Sequence, residues 1–432
     1  MHKYLLYFIF SFLLFFSDST CIQAQQPSIS MQTALTNAYK RNPGLRAYEF
    51  RVQASRGTLR QSGLKPNPEF SIEFEKFGGN KEFAGTGLIE QSISLGQEFQ
   101  TAGKLGKKVK ASQVELKIAQ EEFEFAKLNL ANRVCKAFYG ISSLQKLIVV
   151  QKEFVKLSQE NADAVAKKVE AGETPKIDLT RAQVEASSAR TELGKMLRNL
   201  ETLRYELSSL WAETSADFSI DDQNLNVCSC YTKLDLEDEA LTLNHPKAKI
   251  ASLKHQLAKA ENSLAKAEST PNFKLEGGVV RERASNKHNY FIGLSMPLTI
   301  FDNNRGNRES AAALTKHAEN ELAQVAISRK ASLIELQRQL YSLNEEIENV
   351  HNSLLPGAET AYTQIKTAYE EGERELFELF DARRVMLEAQ KAAIEIENDR
   401  LNVQLEFCLL TGCPEFFGHY LPTMESYDES KK

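Results

Sequence analysis

The chain has 432 residues, of which 42% are hydrophobic and 26% charged, and its formal net charge is -5. That balance excludes a disordered chain and lacks the basic excess of a nucleic-acid binder. Length alone suggests two or three domains, but the chain repeats itself, so one two-fold unit is the better starting point.

Residues 1–24 read as an export signal: His2 and Lys3 give a basic start, residues 5–16 an apolar core, and Ala24 a small residue at the cleavage point. Direct cleavage starts the mature chain near Gln25. Cys21 leaves lipidation as an alternative, although Asp18-Ser-Thr precedes it where a lipobox carries an apolar and then a small residue. Past the signal no stretch reaches the ~18 apolar residues of a transmembrane helix, so any membrane crossing has to be made by strands.

Residues 31–63 are helical in character, interrupted early by Asn42-Pro43 and stopped by Lys65-Pro-Asn-Pro68. Strict alternation over 69–75 puts Phe70, Ile72 and Phe74 on one face of a strand. A second strand over 88–95 has Ile89, Ile93 and Leu95 on one face and Glu90, Ser92 and Ser94 on the other. Residues 104–171 then run without a proline, with Leu116, Phe123, Leu130, Ala137 and Leu144 recurring every seven. At ~1.5 Å per residue this is a coiled-coil-like rod of ~100 Å. Gly172-Glu-Thr-Pro175 reverses it, and 176–211 return as a helix, completing a first repeat over 25–211.

Residues 212–244 hold no single period and read as a connector. The plan then restarts: His245-Pro246 matches Asn42-Pro43 and Pro271-Asn-Phe273 matches Pro68-Glu-Phe70, both 203 residues later. Strands over 273–280 and 290–298 follow, the latter with Tyr290, Ile292, Leu294, Met296 and Leu298 on one face. In the second rod, 305–371, Leu333, Leu340, Ile347 and Leu354 recur every seven, and Leu355-Pro356-Gly357 should break or kink it. A last helix over 376–410 ends the second repeat, 245–413, before a polar tail over 414–432. The two rod ends match most closely: Gly172 aligns with Gly372, Glu173 with Glu373, Asp178 with Glu378, Leu179 with Leu379 and Ala182 with Ala382.

Nothing in the chain points to an enzyme: there is no phosphate loop or nucleophile elbow, and the 7 histidines lack ligand spacing. Of the cysteines, Cys228 with Cys230 and Cys408 with Cys413 fit loop disulfides or thiols better than zinc, which needs four ligands at set spacing. Four amphipathic strands leave open edges that hydrocarbon does not tolerate. Either several chains close one barrel, or each hairpin packs on a soluble helical body.

The duplicated order of helix, hairpin, long helix, Gly turn and return helix resembles the TolC-like outer membrane factors. The likeness covers essentially the whole mature chain. It includes Pro66-Asn-Pro68, Phe301-Asp-Asn-Asn-Arg305-Gly306, Leu355-Pro356 and Ala368-Tyr-Glu-Glu-Gly372. Within that family the chain is similar to the short forms of heavy-metal and cation efflux. The resemblance implies a mainly α fold with a membrane β part: a homotrimer whose four strands per chain complete a twelve-stranded barrel in outer membrane lipid, above a long periplasmic α-helical tunnel. It implies an exit duct for metal cations or drugs, with no cofactor, metal site or nucleic-acid partner. The duct would be served by a periplasmic adaptor and an inner-membrane transporter of the resistance-nodulation-division type. A type I secretion duct or a coiled-coil scaffold is the alternative. Gly172, Glu173, Gly372 and Glu373 become adaptor-docking tips. Asp178 and Arg374 become a bridge between neighbouring coils that holds the aperture shut. Tyr369 becomes an aromatic constriction, and Glu378 and Asp381 become acidic rings in the closed channel.

Overall fold

A computed structural model of the chain describes residues 28–76, 88–220 and 245–412. The export signal with Cys21, the connector beyond residue 220, Cys228, Cys230, Cys413 and the tail lie outside the described residues.

The first repeat comprises β1 (Ser28–Ile29), α1 (Met31–Arg41), α2 (Pro43–Ser62), β2 (Glu69–Glu75), β3 (Glu90–Phe99), α3 (Lys104–Glu170) and α4 (Lys176–Ser209), followed by β4 (Ser219–Ile220). The second comprises α5 (Pro246–Glu268), β5 (Phe273–Glu282), β6 (Lys287–Ser295), α6 (Arg305–Asn349), a π turn (Val350–Leu354), α7 (Leu355–Glu370) and α8 (Leu376–Thr411). The hairpins join in one antiparallel sheet of order β2-β3-β5-β6, with β2 and β6 as its edges. β3 extends to Phe99 because β5 pairs with it down to Phe273, and those two rings stack with centroids 5.2 Å apart. β6 ends at Ser295, two residues before Pro297, which has no N–H to donate to a ladder.

The sheet's burial is inverted relative to one that faces water. Ile93 and Leu95 are 51% and 58% exposed while Ser94 between them is 6% exposed. Register carries the apolar face across all four strands: Ile72 opposes Ile93, Ile93 opposes Val279, and Val279 opposes Tyr290. On the other face the Ser71 and Ser94 hydroxyls lie 3.1 Å apart, Ser94 donates to Glu276, and Lys274 bridges Glu69 at 2.7 Å and Glu276 at 3.6 Å. Gly278 belongs to this face because a Cβ there would sit 2.5 Å from the Ile93 carbonyl and 2.7 Å from the Phe291 ring.

Beneath the sheet α2, α3, α5 and α6 pack side by side in the order of the strands they join. The main core lies partway down α3, where Phe138, Tyr139 and Ile141 meet Leu35 of α1, Leu207 and Trp211 at the end of α4, and Leu405 of α8. Two equivalent side chains tie this region together. Asn42 caps α2 by accepting from the Leu45 N–H at 2.9 Å and donates to the Leu210 carbonyl at 2.7 Å. His245 accepts from the Lys247 N–H through Nδ1 at 3.0 Å and donates through Nε2 to the Leu409 carbonyl at 2.7 Å. Each therefore starts one helix and holds the end of its repeat's return helix. Burial, helped by Arg329, Lys247 and Lys249, lowers the His245 pKa to about 4 and keeps the imidazole neutral.

Cys408 is not in a loop: it is buried in the last turn of α8, against the same core as Cys135. Burial pushes the Cys135 thiol up to about 12, which leaves it unreactive.

The second rod departs from strict heptads at one place. Leu333, Leu336, Leu340 and Val350 are buried, but Leu354 is 43% exposed. It falls in the π turn, where Leu355 N–H bonds to the Val350 carbonyl. The wider turn precedes Pro356, which cannot donate, and advances the phase by about one residue, so the next buried position is Ala358.

Candidate functional site

The candidate site is the pair of rod ends at residues 171–182 and 371–382. Both reversals are built alike. Gly172 and Gly372 have φ of 77° and 80°, a conformation that a side chain penalises, and neither has an atom within 4 Å of a would-be Cβ. Glu173 N–H reaches the Lys168 carbonyl at 2.9 Å and Glu373 N–H the Ala368 carbonyl at 2.8 Å. These are Schellman-type closures, which satisfy carbonyls that a helix end leaves open. Gly172, Glu173, Gly372 and Glu373 are all exposed at the outermost points of the turns.

The return helices then begin with an acid in their first turn, Asp178 in α4 and Glu378 in α8, where the positive end of the helix dipole favours it. Glu378 is fully engaged locally: it accepts from the Glu375 N–H at 3.2 Å and from Arg374 at 2.9 Å. Asp178 lies 3.9 Å from Arg181, one turn along its own helix. Within a single chain, then, Asp178 pairs with Arg181 along α4, and Arg374, in the turn before α8, pairs with Glu378, and the two do not pair with one another. Tyr369 is partly exposed in the last turn of α7, and its carbonyl accepts from the Gly372 N–H at 3.0 Å. Asp381 accepts from Arg384 at 2.6 Å, a contact that raises the pKa of the guanidinium.

The two ends meet. Lys168 in the last turn of α3 sits 4.9 Å over the ring of Phe377 in the first turn of α8. A cavity of about 590 Å³ opens between them, lined by Glu173, Asp178 and Arg181 from one end and Glu375 and Phe377 from the other. About two turns further, Arg383 spans from α8 to Glu153 at 3.0 Å and Glu160 at 3.6 Å on α3. Sequence reasoning missed Phe377, Arg383 and Arg384; Phe377 lies inside the aligned stretch without a counterpart of its kind, and the two arginines lie just beyond its end at Ala382. Among the described residues no cluster of three or more His, Cys, Asp or Glu is arranged to hold a metal.

With this geometry in view, comparison with known proteins is specific. The family model described as outer membrane efflux protein matches residues 34–213 and 239–412. The cobalt-zinc-cadmium resistance protein CzcC of Cupriavidus metallidurans is 24% identical over 362 residues, covering 84% of this chain and 85% of that protein. The nickel-cobalt-cadmium resistance protein NccC of Alcaligenes xylosoxydans xylosoxydans is 22% identical over 310 residues, covering 72% and 69% respectively. The crystal structure of the Campylobacter jejuni CmeC outer membrane channel superposes with a TM-score of 0.75 at 16% identity, over 93% of this chain and 88% of that one.

Proposed function

The chain belongs to the outer membrane efflux protein family, and from that premise we propose that three copies form the exit duct of an efflux pump that clears metal cations from the cell. The observation that carries the reading is the sheet, whose continuous apolar face is uncovered and whose β2 and β6 edges are unpaired. Lipid is the cover that suits such a face, and strand edges cannot remain open in lipid. In the sheet order β2-β3-β5-β6 successive strands alternate in direction, so β6 of one chain can pair antiparallel with β2 of the next. Three chains close a barrel about 24 Å across at ordinary strand spacing and tilt.

In this assembly the polar face with Glu69, Ser94, Lys274 and Glu276 lines the lumen, and the rods extend into the periplasm as a tunnel. The tips at Gly172, Glu173, Gly372 and Glu373 receive a periplasmic adaptor, which couples the duct to an inner-membrane transporter of the resistance-nodulation-division type. Asp178 of one coil bridges Arg374 of its neighbour when the aperture is shut, in place of the Arg181 and Glu378 contacts. Tyr369 narrows the opening, and Glu378 and Asp381, each repeated three times, favour cations. Metal cations as cargo are supported by the resistance relatives and by those acids, with no resident metal required.

The test is fractionation with cross-linking of the expressed full chain. Recovery in the outer membrane as a cross-linked trimer is expected. Recovery in the soluble periplasm without a trimer would overturn the duct.

A further inference from the structure

A groove of about 230 Å³ runs between α3 and α5 just below the sheet, lined by Lys107, Lys110 and Lys259 with Val114, Gln256 and Ser263. No acid lines it, and none of the three lysines pairs with a carboxylate among the described residues. A groove with three lysines and no carboxylate in its lining is chemically suited to an anion.

The direction this groove faces follows from helix geometry. Lys104 donates to Asn272 at 2.6 Å, and Asn272 donates to Glu98 on the polar face of the sheet at 2.7 Å. Lys104 therefore marks the lumen side of α3. Val109 marks the α2 side, lying 3.7 Å from a would-be Cβ on Gly63. Turning about 100° per residue, Lys110 lies about 120° from Lys104 and about 100° from Val109, on the outer wall. Glu115 lies about 20° from Lys104 round α3 and its charge acts on Glu261 of α5, and Lys259 is about 160° round α5 from Glu261.

Its height is equally telling. Phe99 and Phe273 end the apolar face, and Lys107 and Lys110 follow within about 10 Å of the start of α3. That depth falls within reach of the headgroup zone for side chains as long as lysine.

We propose that this groove holds the phosphodiester headgroup of an anionic phospholipid in the periplasmic leaflet, with its acyl chains rising along the apolar face of the sheet. The proposal rests on the reading of the sheet as membrane-spanning. One lipid per chain would plug the seam between the two repeats and fix the depth of the barrel.

The test incubates purified trimer in mixed micelles with equal phosphatidylglycerol and phosphatidylethanolamine and counts bound lipids by native mass spectrometry. Wild type should favour phosphatidylglycerol by at least about tenfold, and Lys107→Gln/Lys110→Gln/Lys259→Gln should fall near parity. Equal retention of both lipids by wild type, or undiminished preference in the variant, overturns the proposal. Should the variant not trimerise, the wild-type preference read from about 50 mM to about 500 mM salt decides: a steep fall supports the site, and no change refutes it. Flotation with vesicles separates the two readings. Failure to insert into any vesicle defeats both the membrane-spanning sheet and this site, whereas insertion without lipid preference defeats this site alone.

Discussion

A lysine placed on either side of one strand tests the orientation of the sheet. Ile93 and Ser92 are neighbours in the central strand β3 at the same depth and point to opposite faces. Ile93 is flanked across the strands by Ile72 and Val279, so Ile93→Lys puts a charge among exposed apolar groups that the proposed duct turns to lipid. A lysine near the bilayer midplane of a barrel costs about 2–4 kcal/mol, or about 30- to 900-fold in the folding equilibrium of each chain. In a trimer the three copies add to about 6–12 kcal/mol, comparable with a typical folding free energy. Ser92 opposes Glu73 on the polar face, so Ser92→Lys meets an opposite charge in water and should change stability by under about 1 kcal/mol. Refolding into vesicles, with the trimer read by gel mobility and insertion by protease protection, gives the comparison. Equal trimer yields from the two variants, or a larger loss with Ser92→Lys, would refute the assignment of faces.

His245 titrates at about 4 in the fold and near its ordinary 6.5 when unfolded, so between these values the unfolded chain binds the extra proton. Stability is complete above pH ~6.5, falls as the pH drops to ~4 and then levels, a loss on the order of 3 kcal/mol. Thermal melts across that window should show the slope, and His245→Asn, which copies Asn42, should flatten it. Gly172→Ala and Gly372→Ala meet open space, so each should cost only the backbone term, about 1 kcal/mol, read as faster amide exchange at that reversal alone. Asp178→Ala combined with Arg374→Ala should raise single-channel conductance in planar bilayers by releasing the closed aperture; unchanged conductance removes the bridge from the gate.

Period and turn chemistry made much of this architecture legible in the sequence. Alternation in Glu69–Glu75 marked a strand because every second residue there is apolar, and the burial of Ser94 beside exposed Ile93 shows which solvent each face suits. Repetition of Gly172 as Gly372 marked the reversals because a positive φ has few other solutions. Interactions between distant segments were not legible. Nothing local in Asn42 or His245 reveals that each also holds a carbonyl 168 or 164 residues away. Arg383 reads as one more exposed cation until α8 is laid along α3, where it meets Glu153 and Glu160. Asp178 and Arg374 each have a nearer partner within their own tip, and a sequence alignment cannot weigh that competition.

The π turn explains how two unequal rods present equal ends. α3 runs unbroken for 67 residues, whereas the second rod carries Pro356 and shifts its buried seam where the heptads reach Leu354. A shift of one residue turns everything below it by about 100°, which in a packed rod would move an apolar seam to the surface. Below the π turn, however, the two rods match again position for position: Ala162 and Val165 are buried, and Tyr362 and Ile365 are half-buried. The sequence below the turn is therefore written in the shifted phase, with Ala358 the first buried residue to follow it. The turn thus works as a phase adjuster that satisfies the backbone at the proline and returns the second tip to the orientation of the first. In the proposed trimer, straight and adjusted rods alternate around one axis, and six nearly equivalent tips would face the proposed adaptor, although only the internal duplication relates the two kinds.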